Sequence, residues 1–537
     1  MDIVTGRPWG DLVAEFAALN CAPSGQGGAI FAAPTTIVSM SSVVVRDSIA
    51  GEGGALYLRD SVKLHAWNSD FAGCHALVNG GAIFASTAGV ESTCQSDPHW
   101  ADKGYAWLNC AQYWTYSTYC GQLDEDARVK CCACGGGSHT MISEQKISIS
   151  IRRSTFVSST AATHGGAVYL QAGMLVLQNS LVQGNSAGTY GGGLYLKYSA
   201  LRGHGTTIDS NQAERGGGML ARFYSSIELE GTMVSRNVAK TLGGGIFLDQ
   251  SSLTVSRSAI DRNMAGDVGP WDGQGALVQF MEGRDGGGVC ASVSSVIAVH
   301  DSSITRNVAA DNGAGLSGKL RSSFTINNST IDGNAAGGNG GGVSALAFCD
   351  VDLFQVSISD NFATHGGGMY FQDVAVTVKS SSFTNNSAME GGALLLKRSP
   401  MTAANSIFDN NRGFSKSNIS AILVGRDSRA GAILLETSNV SLVNCSMVRN
   451  SADHGGCVSV GKNASLSLVN VSLLNCTAGN RGGAVFVGKD SQLTVRGAII
   501  SDCRAGLDGG GIYLGSGASL AMSESVLQNT SAGFLLA

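Results

Sequence analysis

The chain has 537 residues and a net charge of −5 at pH 7, with only 14% charged residues and 74 glycines. Its hydrophobic fraction of 43% is enough to build a core, which argues against intrinsic disorder. Because no run of like charges occurs, electrostatic binding to nucleic acid or to an anionic membrane is not expected.

Residues 1–26 are predicted to be an N-terminal lead-in with a possible helical cap. They lack the charged-then-apolar run of a secretion signal, so the protein is expected either to be cytosolic or to begin after such a signal. No stretch reaches the roughly twenty apolar residues that a membrane-spanning helix needs, so no membrane span is expected.

From residue 27 onwards, a Gly-Gly or Gly-x-Gly motif recurs at steps of 25 to 27 residues, apart from three steps of 85, 43 and 39. The third residue after each motif start is aliphatic or Met, and period-two alternation follows it, which is typical of β-strands. A repeat of this length and composition predicts stacked coils. We therefore predict an all-β, right-handed parallel β-helix of about sixteen coils at 27–91 and 141–537.

The residue that follows this aliphatic column is often aromatic in the first coils, and parity places it on the opposite face. An exposed aromatic stripe could stack on sugar rings or seat a protein. Self-stacking that stiffens the solenoid is the alternative. The residues are Phe31, Tyr57, Phe84, Tyr169, Tyr195 and Phe247.

The step of 85 residues holds a predicted cysteine-rich insertion at 92–140. A dense cysteine cluster indicates a disulfide framework whose pairing is undetermined, and a zinc site that includes His139 is the alternative. No metal site is predicted. The six disulfide candidates are Cys94, Cys110, Cys120, Cys131, Cys132 and Cys134.

One Asn per coil lies about five or six residues before most Gly motifs, which predicts a hydrogen-bonded ladder of side-chain amides at a buried corner. Cys476 and Cys503 occupy this position in consecutive coils, so they are either a disulfide or two buried thiols. The ladder asparagines are Asn185, Asn211, Asn237, Asn263, Asn307, Asn334, Asn361, Asn386, Asn411 and Asn450.

Four charged residues stand at matching distances before two ladder asparagines. Arg202 and His204 lie nine and seven residues before Asn211, and Glu228 and Glu230 lie nine and seven before Asn237. They should face each other on adjacent outer strands, either as ordinary ion pairs or as an acid–base site of a polysaccharide lyase or hydrolase. No cofactor is expected, except calcium if the lyase hypothesis holds.

The steps of 43 and 39 predict two loops at one corner of the coils. The first loop is Gly269–Asp285, which contains Trp271 and Phe280, and the second is Gly413–Arg429. The two loops are predicted to flank a partner-binding edge. Ten Asn-x-Ser/Thr sequons, between Asn327 and Asn529, support a secretory history only weakly.

Gly-Gly-Ala-aliphatic motifs such as Gly482–Val485, with Phe-x-x-Asn at Phe383–Asn386 and Phe408–Asn411, resemble the repeat of chlamydial polymorphic outer membrane proteins. The resemblance covers nearly the whole chain outside the insertions and implies a pectin-lyase-like β-helix with an adhesin role. That family's membrane anchor domain has no counterpart here, so anchoring by that route is not expected. Residues 92–140 resemble small cysteine-rich modules of marine protist proteins.

These observations predict an extracellular or cell-surface protein that binds a polysaccharide or a surface protein along its long face. A polysaccharide lyase or hydrolase and a purely structural spacer are the alternatives.

Overall fold

The computed structural model describes residues 25–87, 93–95, 138–140, 147–266, 283–414 and 427–533. Within these residues every regular element is a β-strand, and no helix is long and apolar enough to cross a membrane. Three parallel sheets of sixteen strands each run the length of the molecule, so the predicted β-helix of about sixteen coils is confirmed.

Sheet 1 contains the first strand of each coil, which follows the Gly motif. Its strands are Ile30–Ala32, Leu56–Arg59, Ile83–Ser86, Val168–Gln171, Leu194–Lys197, Met219–Arg222, Ile246–Asp249, Val289–Ser292, Leu316–Lys319, Val343–Leu346, Met369–Gln372, Leu394–Lys397, Ile433–Glu436, Val458–Val460, Val485–Val487 and Ile512–Leu514.

Sheet 2 contains the second strand of each coil, with alternating inward and outward side chains. Its strands are Ile37–Ser41, Lys63–Trp67, Ile147–Arg152, Gly173–Gln178, Ala200–His204, Ser226–Glu230, Ser252–Ser256, Val296–His300, Ser323–Asn327, Asp350–Phe354, Ala375–Lys379, Met401–Ala404, Asn439–Val443, Ser465–Val469, Gln492–Arg496 and Ser519–Ser523.

Sheet 3 contains the third strand, which lies before the ladder position. Its strands are Val44–Arg46, Asp70–Ala72, Thr155–Val157, Leu181–Gln183, Thr207–Asp209, Met233–Ser235, Ala259–Asp261, Ser303–Thr305, Thr330–Asp332, Ser357–Ser359, Ser382–Thr384, Ile407–Asp409, Ser446–Val448, Ser472–Leu474, Ile499–Ser501 and Val526–Gln528.

A fourth set of short strands lies after the ladder position and pairs in two groups. The first group is Ile49–Ala50, His75–Ala76, Thr160–Ala161, Ser186–Ala187, Gln212–Arg215, Val238–Leu242, Met264–Ala265, Val308–Ala309 and Ala335–Ala336. The second is Ser387–Ala388, Arg412–Gly413, Ser451–His454, Thr477–Arg481, Arg504–Ala505 and Ser531–Ala532. A separate antiparallel pair, Thr93–Gln95 with Ser138–Thr140, lies within the insertion.

The Gly motif turns the chain tightly from one coil into the next. Gly191 has a φ of 65°, in the left-handed region that glycine adopts without steric cost. A Cβ on Gly192 would lie 2.3 Å from the carbonyl oxygen of Gly217 in the next coil, so only glycine fits there. This close approach explains why the motif recurs in nearly every coil.

The asparagine ladder is confirmed in all ten coils where it was predicted. Consecutive ladder amides are joined by Nδ2–H···Oδ1 hydrogen bonds of 2.9 to 3.1 Å, from Asn185 to Asn450. Each Oδ1 also accepts the backbone N–H of the ladder residue one coil earlier, and each Nδ2 donates to a carbonyl oxygen of sheet 3, as Asn307 does to Ile260. The amides therefore satisfy the buried backbone at this corner.

The insertions leave the stacking of the coils intact. Phe84 pairs with Tyr169 across the first insertion, and their rings stack with centroids 4.8 Å apart, as predicted. That insertion leaves between a strand of sheet 1 and a strand of sheet 2. The two shorter ones both leave after the fourth strand of a coil, between residues 266 and 283 and between 414 and 427, so their predicted shared corner is confirmed.

The disulfide candidate Cys476–Cys503 is wrong. Cys476 is bonded instead to Cys457, with Cα atoms 5.6 Å apart, and Cys503 is a buried free thiol. The reason is that the third residue of a Gly motif faces the ladder position of the same coil, as Gly218 faces Asn237, whereas residues stacked in adjacent coils point in parallel. Cys94 pairs through its backbone with His139, and the other five cysteines of the insertion lie outside the described residues.

Removing this disulfide should destabilise the C-terminal coils. The double variant Cys457→Ala/Cys476→Ala should lose about 3 kcal/mol of unfolding free energy, because the bond closes a loop of 19 residues in the unfolded chain. Denaturant unfolding measures the difference, and Cys503→Ala, which removes only a free thiol, should cost about 1 kcal/mol. A larger loss in Cys503→Ala, or a Cys476–Cys503 peptide in a non-reducing digest, would contradict the assignment.

Candidate functional site

The aromatic residues predicted to form an exposed stripe are mostly buried. Phe31 in the first coil is 49% exposed, but the other five are only 4 to 9% exposed. Where aromatic neighbours follow each other, the rings stack with centroids 4.8 to 5.3 Å apart. The expectation of an exposed stripe is therefore wrong for these five residues. The alternative of self-stacking is confirmed from Phe31 to Tyr195, whereas Phe247 lies between Leu220 and Cys290.

Neighbouring side chains on the outer face of sheet 1 cover the stripe. His164, which precedes a Gly motif, packs against Tyr195 with ring centroids 4.9 Å apart, and the hydroxyl of Tyr169 donates to Gln171 at the end of its strand. Burial raises the pKa of both Tyr169 and Tyr195 above the ordinary tyrosine range. Trp271 and Phe280 of the first loop lie outside the described residues.

The charged quartet has the predicted geometry. Arg202 Nε lies 3.1 Å from Glu228 Oε2, and His204 Nδ1 lies 3.4 Å from Glu230 Oε2, on adjacent strands of sheet 2. Arg257 from the next coil also contacts Glu230. The four side chains of the quartet are 44 to 61% exposed, so solvent weakens their pairing, as in ordinary surface ion pairs. Their catalytic role stays a prediction.

A groove of about 880 Å³ lies on the same outer face of sheet 2, in the first four coils. Trp67 is 55% exposed there, although large aromatic side chains are usually buried. Strand register places Trp67 between Ser41 and Arg152, and His65 between Ser39 and Ser150. The site thus combines an aromatic face with hydrogen-bonding and cationic groups, which is typical of surfaces that bind sugars.

The groove is positive in a protein of negative net charge. The outward side chains of its four strands include Lys63, His65 and Arg152 but no Asp or Glu. Arg153 in the following turn also lines the groove. A group of like charges on a concave surface attracts ligands of the opposite charge, so the electrostatics favour an anionic ligand.

The groove and the charged quartet form one continuous surface. Strand pairing connects two outward columns, here named the Trp67 column and the His65 column, across six consecutive strands of sheet 2. The Trp67 column is Ser41, Trp67, Arg152, Gln178, His204 and Glu230; the His65 column is Ser39, His65, Ser150, Val176, Arg202 and Glu228.

Sequence reasoning missed the groove, although its signal was present. Trp67 and His65 lie seven and nine residues before Cys74, which occupies the ladder position of its coil. The same count that identified the quartet from Asn211 and Asn237 would have placed these residues in the same two columns.

No group of three or more His, Cys, Asp or Glu side chains that could hold a metal ion occurs in the described part of the chain. The zinc alternative for Cys131, Cys132, Cys134 and His139 rests on side chains that are not among the described ones.

Comparison with known proteins supports the fold. A family model for the right-handed beta helix region matches residues 140–318. No curated protein and no solved structure matches the chain. The matched segment and the sheets described above define the molecule as a right-handed parallel β-helix, a fold that by itself does not specify function.

Proposed function

We propose that this chain is an extracellular or cell-surface, adhesin-like β-helix protein that binds an acidic glycan in the groove on sheet 2. The observation that carries the proposal is the exposed Trp67 beside Arg152 and His65, in a groove whose lining residues include no carboxylate. A sugar ring would stack on the indole of Trp67, and Arg152 would pair with a carboxylate or sulfate group of the glycan.

The cysteine chemistry supports the compartment. The Cys457–Cys476 disulfide and the six cysteines between Cys94 and Cys134 suit an oxidising environment. A scaffold of sixteen coils can present one long face to a polymeric ligand.

A binding screen with polygalacturonate, a sulfated polysaccharide and neutral dextran tests the proposal. We expect binding to the two anionic polymers that weakens as salt is raised, because screening reduces charge attraction, and no binding to dextran. Equal affinity for dextran would contradict an acidic ligand. Failure to bind any polysaccharide would instead favour a protein ligand or a structural spacer.

A polysaccharide lyase or hydrolase is the second candidate. It is favoured by one observation: Arg202, His204, Glu228 and Glu230 continue the two columns that line the groove. Incubation with acidic polysaccharides and calcium should then release short products, and Glu230→Gln should abolish the release while leaving the polymer bound. Intact polymer after incubation with the parent protein would remove this candidate.

A further inference from the structure

The ten Asn-x-Ser/Thr sequons are confined to one part of the chain, from residue 327 to residue 531. Residues 1–326 contain none, although 11 of the chain's 30 asparagines lie there. The sequon asparagines are Asn327, Asn328, Asn385, Asn418, Asn439, Asn444, Asn463, Asn470, Asn475 and Asn529.

Seven of these sequons share one local geometry. Their asparagine is exposed at a turn, with φ between 44° and 56°, and their Ser or Thr is the first residue of the following strand. The amide therefore points away from the core at a corner of a coil. The seven are Asn328, Asn385, Asn444, Asn463, Asn470, Asn475 and Asn529.

The buried asparagines are not sequons. In nine of the ten ladder coils the residue two positions after the Asn is a buried Ala, and after Asn411 it is Gly413. The residue at this position is small because it points inward beside the ladder. The seven turn sequons thus lie where an attached sugar would not disturb the packed interior.

The turn beside the groove carries asparagine without the motif. Asn68 and Asn179 directly follow strands of sheet 2, as Asn328, Asn444 and Asn470 do. Asn tolerates this left-handed turn, so its presence alone has a structural explanation. The residues two positions later, however, are Asp70 and Leu181, so the Ser or Thr hydroxyl that completes the motif is missing at both turns.

We infer that the seven turn asparagines are attachment sites for N-linked glycans, which cover the corners of the C-terminal half and leave the sheet 2 groove bare. In the transfer, Asn Nδ2 forms a bond to the anomeric carbon of an oligosaccharide carried on a lipid pyrophosphate. The bond from that carbon to the pyrophosphate oxygen breaks, the lipid pyrophosphate leaves, and the amide nitrogen loses one proton. The inference rests on the extracellular part of the proposed function and not on the groove's ligand.

The test is site mapping of the full chain secreted from cultured animal cells behind an added signal sequence. Digestion with an amidase that removes N-linked glycans in heavy-oxygen water converts each occupied Asn to labelled Asp. We expect label at the turn asparagines, with Asn328, Asn385 and Asn475 among them, and none at the ten ladder residues. A secreted chain without label at any turn asparagine overturns the inference.

A matched pair of variants tests the relation of the glycans to the groove. Asp70→Ser completes a sequon at Asn68, whereas Asp70→Ala removes the same Thr155 hydrogen bond to Asp70 without creating one. Asp70→Ser should gain one glycan and lose polysaccharide binding, and Asp70→Ala should keep it. If the native chain is labelled but binds no polysaccharide, the proposed ligand fails while the inference stands. If polysaccharide binding disappears when the native glycans are removed, the inference that these glycans leave the groove uncovered is overturned.

Discussion

Replacing Trp67 with Ala should weaken binding of an acidic glycan about tenfold, which corresponds to ~1.4 kcal/mol. The indole offers the only large flat surface in the described groove lining, and Ala removes it without altering the inward side of the strand. Titration calorimetry or a solid-phase binding assay with polygalacturonate measures the change. The far-ultraviolet circular dichroism spectrum should be unchanged, because the side chain is exposed.

Phe354 provides a matched control for this variant. It is 46% exposed at the end of another sheet 2 strand, in the continuation of the Trp67 column several coils away. Phe354→Ala should leave the affinity unchanged. Equal loss in both variants would show that the ligand does not use the groove, and no loss in Trp67→Ala would remove the aromatic contribution.

Replacing Asn307 with Ala should cost about 4 kcal/mol of unfolding free energy, the largest effect expected from a single polar side chain here. The substitution leaves the amides of Asn263 and Asn334, the backbone N–H of Asn263 and the carbonyl oxygen of Ile260 each without one partner in a buried corner. Denaturant unfolding followed by circular dichroism measures the loss. Faster amide hydrogen exchange should be centred on the coils that contact residue 307.

The control for Asn307 is Gln492→Ala, which removes an exposed amide from sheet 2 and should change stability by less than about 0.5 kcal/mol. A loss below 1 kcal/mol for Asn307→Ala would mean that water replaces the ladder amide. The ladder would then be a consequence of the fold and not one of its main supports.

The coil repeat was predictable because the fold repeats its steric demands. Each Gly motif must fit against the next coil, and each ladder Asn must satisfy the same backbone groups, so both recur at a fixed spacing. The register between neighbouring strands can then be found by counting residues back from the ladder position. The predicted pairing of Arg202 with Glu228 and of His204 with Glu230 was correct for this reason.

Burial on the outer face was not predictable from alternation. Period two shows which side of a strand a residue occupies but not whether neighbours such as His164 and Gln171 cover it there, so the exposed stripe was wrong. The Cys457–Cys476 bond was missed because it joins two different positions of one coil across the interior. Counting equivalent positions in successive coils identifies only residues that stack on each other.

Trp67 and Arg152 are 85 positions apart in the chain yet lie side by side on neighbouring strands, because the first insertion departs and returns without shifting the register. The insertion between residues 87 and 147 can therefore change in length or content while the spacing of the two side chains stays fixed. A reporter domain introduced between residues 87 and 147 should therefore leave the register of Trp67 and Arg152 unchanged, and with it any ligand binding in the groove.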